Sequence, residues 1–256
     1  MSVRSVHDRD ELAELLRRDP ALHAYELGDL DDFFWPYTTW YRRDDTVALL
    51  YHGGDPPTLL AFDRGQPPTA LIRLLEGMLP LLPRRCYAHL SPGAEHALVG
   101  HFRVEPGGTH RKMALTDMTR LDLVRPAGEV LGPADLGELT TLYQVAYPDN
   151  WFDPRMLATG QYIGVRQEGA LVAVAGVHVW SPTYGVSALG NVATHPAVRG
   201  QGLATAAVAA LCRRLLDTTD HITLNVKADN QAAVALYTRL GFTPVADYSE
   251  YLLTAR

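Results

Sequence analysis

Residues 194–205 read THPAVRGQGLAT, and an alanine-rich run follows to about Leu216. Arg199, Gly200 and Gly202 therefore cluster just where a helix is about to start. Glycine adopts backbone angles closed to other residues and lets the chain come close to a ligand. The first turn of a helix leaves N–H groups without partners and carries partial positive charge. A glycine-rich loop feeding such a turn is suited to hold phosphate. This stretch thus points to a strand–loop–helix unit and to a phosphate-bearing ligand.

The rest of the composition narrows the class. The chain has 256 residues and is 47% hydrophobic, enough for one large domain or two smaller ones. A net charge of -6 argues against a general nucleic-acid binder. Cys86 and Cys212 show neither metal-ligand nor disulfide-framework spacing, and the ten histidines are scattered, so no metal is expected. A reducing cytoplasm fits best. The N-terminal stretch MSVRSVHDRDELAELL is too charged for a signal peptide, and no apolar run is long enough to span a membrane.

Read along the chain, Asp8 and Glu11 look like a capping box opening a helix to about Arg18. The aromatic run DDFFWPYTTWY reads as strand and core. TVALLYHGG and TLLAFDRG read as strands, TALIRLLEGMLPLL as an amphipathic helix, RCYAHL as a strand and AEHALVGHF as a short helix. Around VRPAGEVLGPAD the chain gains Pro and Gly, which places a domain boundary near residues 125–133. Beyond it come a helix from Pro133 to about Ala146 and the loop YPDNWFDP. A hairpin turning at Gln167–Gly169, the strand GVSALGNVAT and the glycine loop with its helix follow. HITLNV (strand), NQAAVALYTRLG (helix) and TPVADYSEYLL (strand) close the chain. The expected fold is a mixed α/β sheet flanked by helices, in domains 1–125 and 133–256.

The two halves also resemble each other. Laid so that Arg64 falls on Arg199, RGQPPTALIRLLEGMLPLLPRRCYAHL covers RGQGLATAAVAALCRRLLDTTDHITLN, helix on helix and strand on strand. The agreement runs without a gap over about 38 positions, which points to a duplication. One difference matters: Gly202 corresponds to Pro67, and Leu203 to Pro68. Proline has no N–H and a fixed φ, so the first copy lacks the donors of a phosphate cradle.

Two familiar phosphate loops fit poorly. A P-loop needs Lys-Ser or Lys-Thr after the glycines, and none is present. A Rossmann loop needs a third glycine, where Thr205 stands, and an acidic residue on the next strand, where HITLNV has none. Instead, NVATHPAVRGQGLAT resembles the acetyl-CoA-binding signature of the GNAT acyltransferase superfamily, through Arg199, Gly202 and Ala204. NQAAVALYTRLGF resembles that family's second motif through Asn230, Ala233, Tyr237, Gly241 and Phe242. The resemblance covers about residues 133–256 and makes the chain a tandem member with a degenerate first copy.

The resemblance implies a direct acetyl transfer from acetyl-CoA to an amine, with a small molecule as the leading acceptor. Amides from Gly200, Gln201, Gly202, Leu203, Ala204 and Thr205 would hold the pyrophosphate, with Arg199 beside them. Val192, Ala193 and Thr194 would pair with the pantetheine as an added strand. A backbone N–H there would stabilise the oxyanion. Tyr237 would protonate the departing thiolate, and Asn225 and Asn230 would touch the cofactor or hold the helix start. The strand before the loop carries no carboxylate to act as base; Glu250, Asp247, His178, Tyr184 and Asn191 are the available helpers. In Tyr147–Pro154, Trp151 and Phe152 offer an apolar acceptor wall or a core anchor, and Asp149 and Asp153 could attract an ammonium group. A homodimer stays open. Rival readings are a non-catalytic acyl-CoA-binding or sensing module and a structural protein retaining only the fold.

Overall fold

The computed structural model describes residues 2–148 and 150–256. The chain forms two compact units. The first opens with β1 (Arg4–Val6), α1 (Arg9–Leu16), α2 (Ala24–Gly28), β2 (Thr38–Arg43), β3 (Thr46–Tyr51) and β4 (Thr58–Ala61). It continues through α3 (Thr69–Met78), β5 (Arg85–Leu90) and most of β6 (Phe102–Leu115). The second contains β7 (Glu129–Val130), α4 (Leu136–Ala146), β8 (Ile163–Gln167), β9 (Ala170–Ser181), β10 (Val186–Thr194), α5 (Leu203–Leu216), most of β11 (His221–Lys227) and α6 (Gln231–Arg239). The last strand is β12 (Phe242–Ala255).

The two units use one strand plan. In the first, β1 to β4 pair successively antiparallel and β5 joins β4 in parallel. In the second, β7 to β10 pair successively antiparallel and β11 joins β10 in parallel. A parallel step needs a crossover, supplied by α3 in one unit and α5 in the other. α3 buries Leu71, Leu74, Leu75 and Met78 against Leu50, Leu59, Ala88 and Leu90. α5 buries Ala207, Val208, Leu211, Cys212 and Leu215 and packs on β8, β9 and β10. Each large aliphatic so buried contributes about 1.5–3 kcal/mol before entropy is counted.

The units do not divide at residues 125–133. The second unit takes Met113–Asn225 and Gln231–Thr243; the first takes the chain up to Lys112, with 226–230 and 244–256 returned to it. The Pro/Gly-rich stretch belongs to the second unit because its few apolar residues are used there. Leu121 and Leu131 are buried. Arg213 donates to the carbonyls of Leu121 (2.5 Å) and Val124 (3.2 Å), and β7 pairs with β8. The C-terminal strand returns because β12 pairs antiparallel with β5, from Ser249↔Leu90 to Thr254↔Arg85.

Smaller expectations also shift. Asp8 caps α1 as foreseen, accepting from the amides of Asp10 and Glu11, but Glu11 turns to Arg4 and Arg42 instead of closing the box. The aromatic run is a 3-10 turn at Trp35–Tyr37, with strand only from Thr38, since Pro36 starts a turn more readily than a ladder. AEHALVGHF makes one 3-10 turn, Ala94–Ala97. The hairpin turn is as expected: Glu168 and Gly169 both take positive φ (50° and 84°), the backbone a two-residue hairpin needs. Among the described residues, no helix is long and apolar enough to cross a membrane.

Candidate active site

The site of the second unit starts from a fault in β10. Opposite β9, Gly190 faces Gly176 and Ala193 faces Val174, so Asn191 and Val192 together oppose one residue, Ala175. This is a β-bulge, which re-aims the strand beyond it. Asn191 takes φ +54°, a conformation asparagine tolerates better than most residues. Hydrogen bonds fix the bulge. Tyr143 donates to the Asn191 carbonyl (2.9 Å), the Asn191 side-chain amide donates to the Tyr162 hydroxyl (3.1 Å), and Tyr162 donates to the Val177 carbonyl (2.9 Å). Burial raises both phenols, so they stay protonated and remain donors. Gly176 and Gly190 make room: a Cβ on Gly176 would lie 2.2 Å from the Tyr162 ring, and one on Gly190 1.9 Å from His178. Tyr162→Phe should cost about 1–3 kcal/mol, because it strands the buried Val177 carbonyl and the Asn191 amide. Thermal melting checks this, and an unchanged midpoint would show that the network does not hold the bulge.

Beyond the bulge β10 has an open edge. Its parallel register with β11 runs from Val186↔His221 to Leu189↔Leu224 and stops. Among the described residues, the stretch 190–194, including Val192, Ala193 and Thr194, pairs with β9 and no longer with β11. Asn225, the next residue of β11, has a buried side-chain oxygen without a hydrogen-bond partner among the described residues.

The glycine loop follows the open edge. His195 accepts from the Ala197 amide (3.3 Å) and starts a 3-10 turn, Pro196–Val198. Arg199 is exposed and braces the loop, donating to the carbonyls of Thr194 (3.3 Å) and Ala146 (3.4 Å). Gly200 and Gly202 take φ +79° and +78°. A Cβ at either would meet nothing within 4 Å, so the backbone angle, not space, requires glycine. Helix bonding begins only with the Ala206 amide, which donates to the Gly202 carbonyl (3.0 Å). Among the described residues the amides of Gly200, Gln201, Gly202, Leu203, Ala204 and Thr205 find no acceptor. They form a row of unpaired donors at the positive end of α5. In the first unit the matching loop is closed: Pro67 and Pro68 have no N–H, the Thr69 amide donates to the Pro67 carbonyl (2.9 Å), and Arg64 is paired with Asp19.

Tyr237 is the buried residue of α6 and meets Phe242 edge-to-face, with ring centres 5.8 Å apart. Burial first, then nearby Cys212 and Tyr147, raise its phenol above the ordinary range. Its hydroxyl has no hydrogen bond to another described residue. Asn230 is exposed and donates its backbone N–H to the Lys227 carbonyl (3.0 Å); it groups with the first unit.

Among the suggested helpers, Asp247 and Glu250 belong to the first unit and His178, Tyr184 and Asn191 to the second. Asp247 is clamped by Arg111 (2.8 and 3.1 Å) in the first unit, where Glu250 also lies. Burial pushes His178 down to about 4, leaving it neutral but weakly basic at pH 7. The Tyr184 amide donates to Ser181 Oγ (3.3 Å) in the β9–β10 connection. Asp149 lies outside the described residues. Asp153 is held by Arg155 (2.6 Å) and accepts its amide, so it is not poised to draw an ammonium group. Phe152 packs on Tyr143 and Tyr162 (5.2 and 5.7 Å) and anchors the loop, while Trp151 is 59% exposed. A cavity of about 290 Å³ is lined by Thr140, Tyr143, Gln144, Pro148, Asn150 and Phe152. Tyr143 thus joins this cavity to the bulge. The roles of Tyr143 and Tyr162 were not read from the sequence; the signal lay in Gly176 and Gly190, glycines inside strands.

Comparison with known proteins agrees with this architecture. The profile of the Acetyltransferase (GNAT) family matches residues 134–242, somewhat under half of the chain. A mycothiol acetyltransferase of Paenarthrobacter aurescens (strain TC1) is 37% identical over 98 residues, a stretch covering 37% of this chain and 29% of that protein. Among solved structures, a Drosophila protein superposes with a TM-score of 0.70 at 16% identity, over 99% of this chain and 98% of its own. A GCN5-related N-acetyltransferase from Kribbella flavida gives 0.63 at 20% identity, over 90% and 94%. A tandem GNAT protein from the clavulanic acid biosynthesis pathway gives 0.55 at 16% identity, over 98% of each. At these identities the structures speak for the fold.

Proposed function

We propose that the chain is an acetyl-CoA-dependent N-acetyltransferase acting on a small-molecule amine. In this reading it is a tandem of two GNAT-like units in which only the second is active. The observation that carries it is the row of six unpaired amides at the start of α5, beside the open edge of β10. These features suit the two ends of acetyl-CoA: donors for the pyrophosphate and a strand edge for the pantetheine amides. The orphan oxygen of Asn225 is a further acceptor for a ligand N–H. The relative named mycothiol acetyltransferase favours a small-molecule acceptor over a protein one.

Acetyl-CoA supplies an activated thioester; the chain positions it and manages one proton. Amides of residues 200–205 hold the diphosphate, and the edge at 192–194 holds the arm. The Tyr237 hydroxyl gives its proton to the sulfur that leaves, and the proton shed by the attacking nitrogen as it becomes an amide restores the phenol. With His178 too weak a base and Asp153 engaged by Arg155, the acceptor attacks as the neutral amine.

A pH dependence follows. The Tyr237 phenol is raised above an ordinary tyrosine near 10, so it stays protonated through neutral and mildly alkaline pH. Turnover should therefore rise with pH as the amine loses its proton, with no falling limb below about pH 10. Thiol release measured from pH 6 to about pH 10 tests this. A bell centred near neutrality would show that a base with a lower pKa has been missed.

A further inference from the structure

We propose that the first unit holds a binding site of its own, for a small protonated amine with an apolar arm, in a cavity bounded by α1, the His23 turn and the end of β4. The proposal does not rest on the acetyltransferase reading of the second unit.

The cavity has a volume of about 250 Å³, the share of about eight water molecules. Leu15, Leu16, Leu22, Val47 and Phe62 supply apolar wall, which calls for an apolar body in the ligand. His23 is the polar lining residue with a built support. Its Nδ1 stands 3.0 Å from Oε1 of Glu26, a residue only 3% exposed. Burial alone would raise Glu26, but His23 and the buried Lys112 bring it below the usual range, so it is a carboxylate. His23 and Glu26 thus form a hydrogen-bonded pair at the polar end of the lining. Nε2 has no partner among the described residues.

The lining charges select the sign of the ligand. Asp19 is bound by Arg64 (3.1 Å to Oδ1), and Asp45 by Arg18 (3.1 Å) and Arg42 (3.4 Å). Asp63 accepts only the Gly65 amide (2.9 Å) and has no cation within ion-pair distance among the described residues. Lys112 lies against the Phe62 ring, 3.9 Å from its centre, where its charge answers Glu26. Asp29, also buried, is raised well above the usual range by burial and by Glu26. The uncompensated charge on the lining is thus the carboxylate of Asp63. An ammonium group would answer it. The same site is unsuited to phosphate, because Pro67 and Pro68 lack the amide donors and Arg64 is already paired.

The test uses the full chain and three probes of one shape: isobutylamine, isobutanol and isobutyrate. Calorimetry should show the amine binding at least about tenfold more tightly than the alcohol, and no binding of the acid. Asp63→Asn should weaken the amine by about tenfold without moving the alcohol. Asp63→Asn changes a half-buried side chain at the lining, so the variant is expected to fold. Gly202→Pro, which alters the other unit, should bind the amine like wild type. Three results would each overturn the proposal: equal affinity for amine and alcohol, preference for isobutyrate, or amine binding indifferent to Asp63→Asn. Failure of the amine to bind at all would do the same, whatever acetyl-CoA does at the second unit.

Discussion

Gly202→Pro lowers acetyl-CoA affinity by at least about 100-fold while α5 stays folded. Gly202 sits at φ +78°, and proline is held near -65°, so the loop cannot keep its path. The variant also removes one of the six donors facing the ligand. A hydrogen bond to a charged group is worth about 1.5–3 kcal/mol, and loop rearrangement adds to that. The helix itself survives because Val208, Leu211, Cys212 and Leu215 remain buried. Gly202→Ala separates the two effects. It keeps the N–H and costs only the left-handed backbone, about 1–2 kcal/mol, so affinity should fall by about tenfold. Calorimetric titration measures both. Equal binding by wild type and the proline variant would put the phosphate cradle elsewhere.

Tyr237→Phe lowers kcat by about 10²–10³ while KM for acetyl-CoA changes by less than about threefold. The hydroxyl has no hydrogen bond to another described residue, so its removal should leave folding nearly untouched. The ring keeps its burial and its edge-to-face contact with Phe242. A large loss of turnover with an unchanged melting temperature identifies a proton donor to the reacting sulfur. Unchanged kcat would remove Tyr237 from the chemistry. A wild type that binds acetyl-CoA and turns over no amine would instead favour the sensing module.

Local features were legible in the sequence. The strand–glycine loop–helix unit at 194–216, the Glu168–Gly169 hairpin and the Asp8 cap follow from backbone preferences within a few residues, and the structure has each. The loss of donors at Pro67 and Pro68 was equally readable, because it depends on residue type alone. Pairing between distant segments was not. Nothing in TPVADYSEYLL says that it pairs with β5, and this hid the return of residues 244–256 to the first unit. The stretch around residues 125–133 was misread because Pro and Gly suggest a linker, whereas Leu121 and Leu131 bury themselves in the second unit. The bulge at Asn191 escaped because its holders, Tyr143 and Tyr162, come from α4 and the start of β8. The His23–Glu26 pair escaped because a scattered histidine looks like any other until its partner and the cavity beside it are seen.

The most direct measurement is amide hydrogen exchange of the full chain with and without acetyl-CoA. The account predicts that acetyl-CoA slows exchange at residues 200–205 and along 192–194, and leaves residues 64–72 unchanged. Protection at 64–72, or none at 200–205 under saturating acetyl-CoA, would contradict the assignment of the cofactor to the second unit.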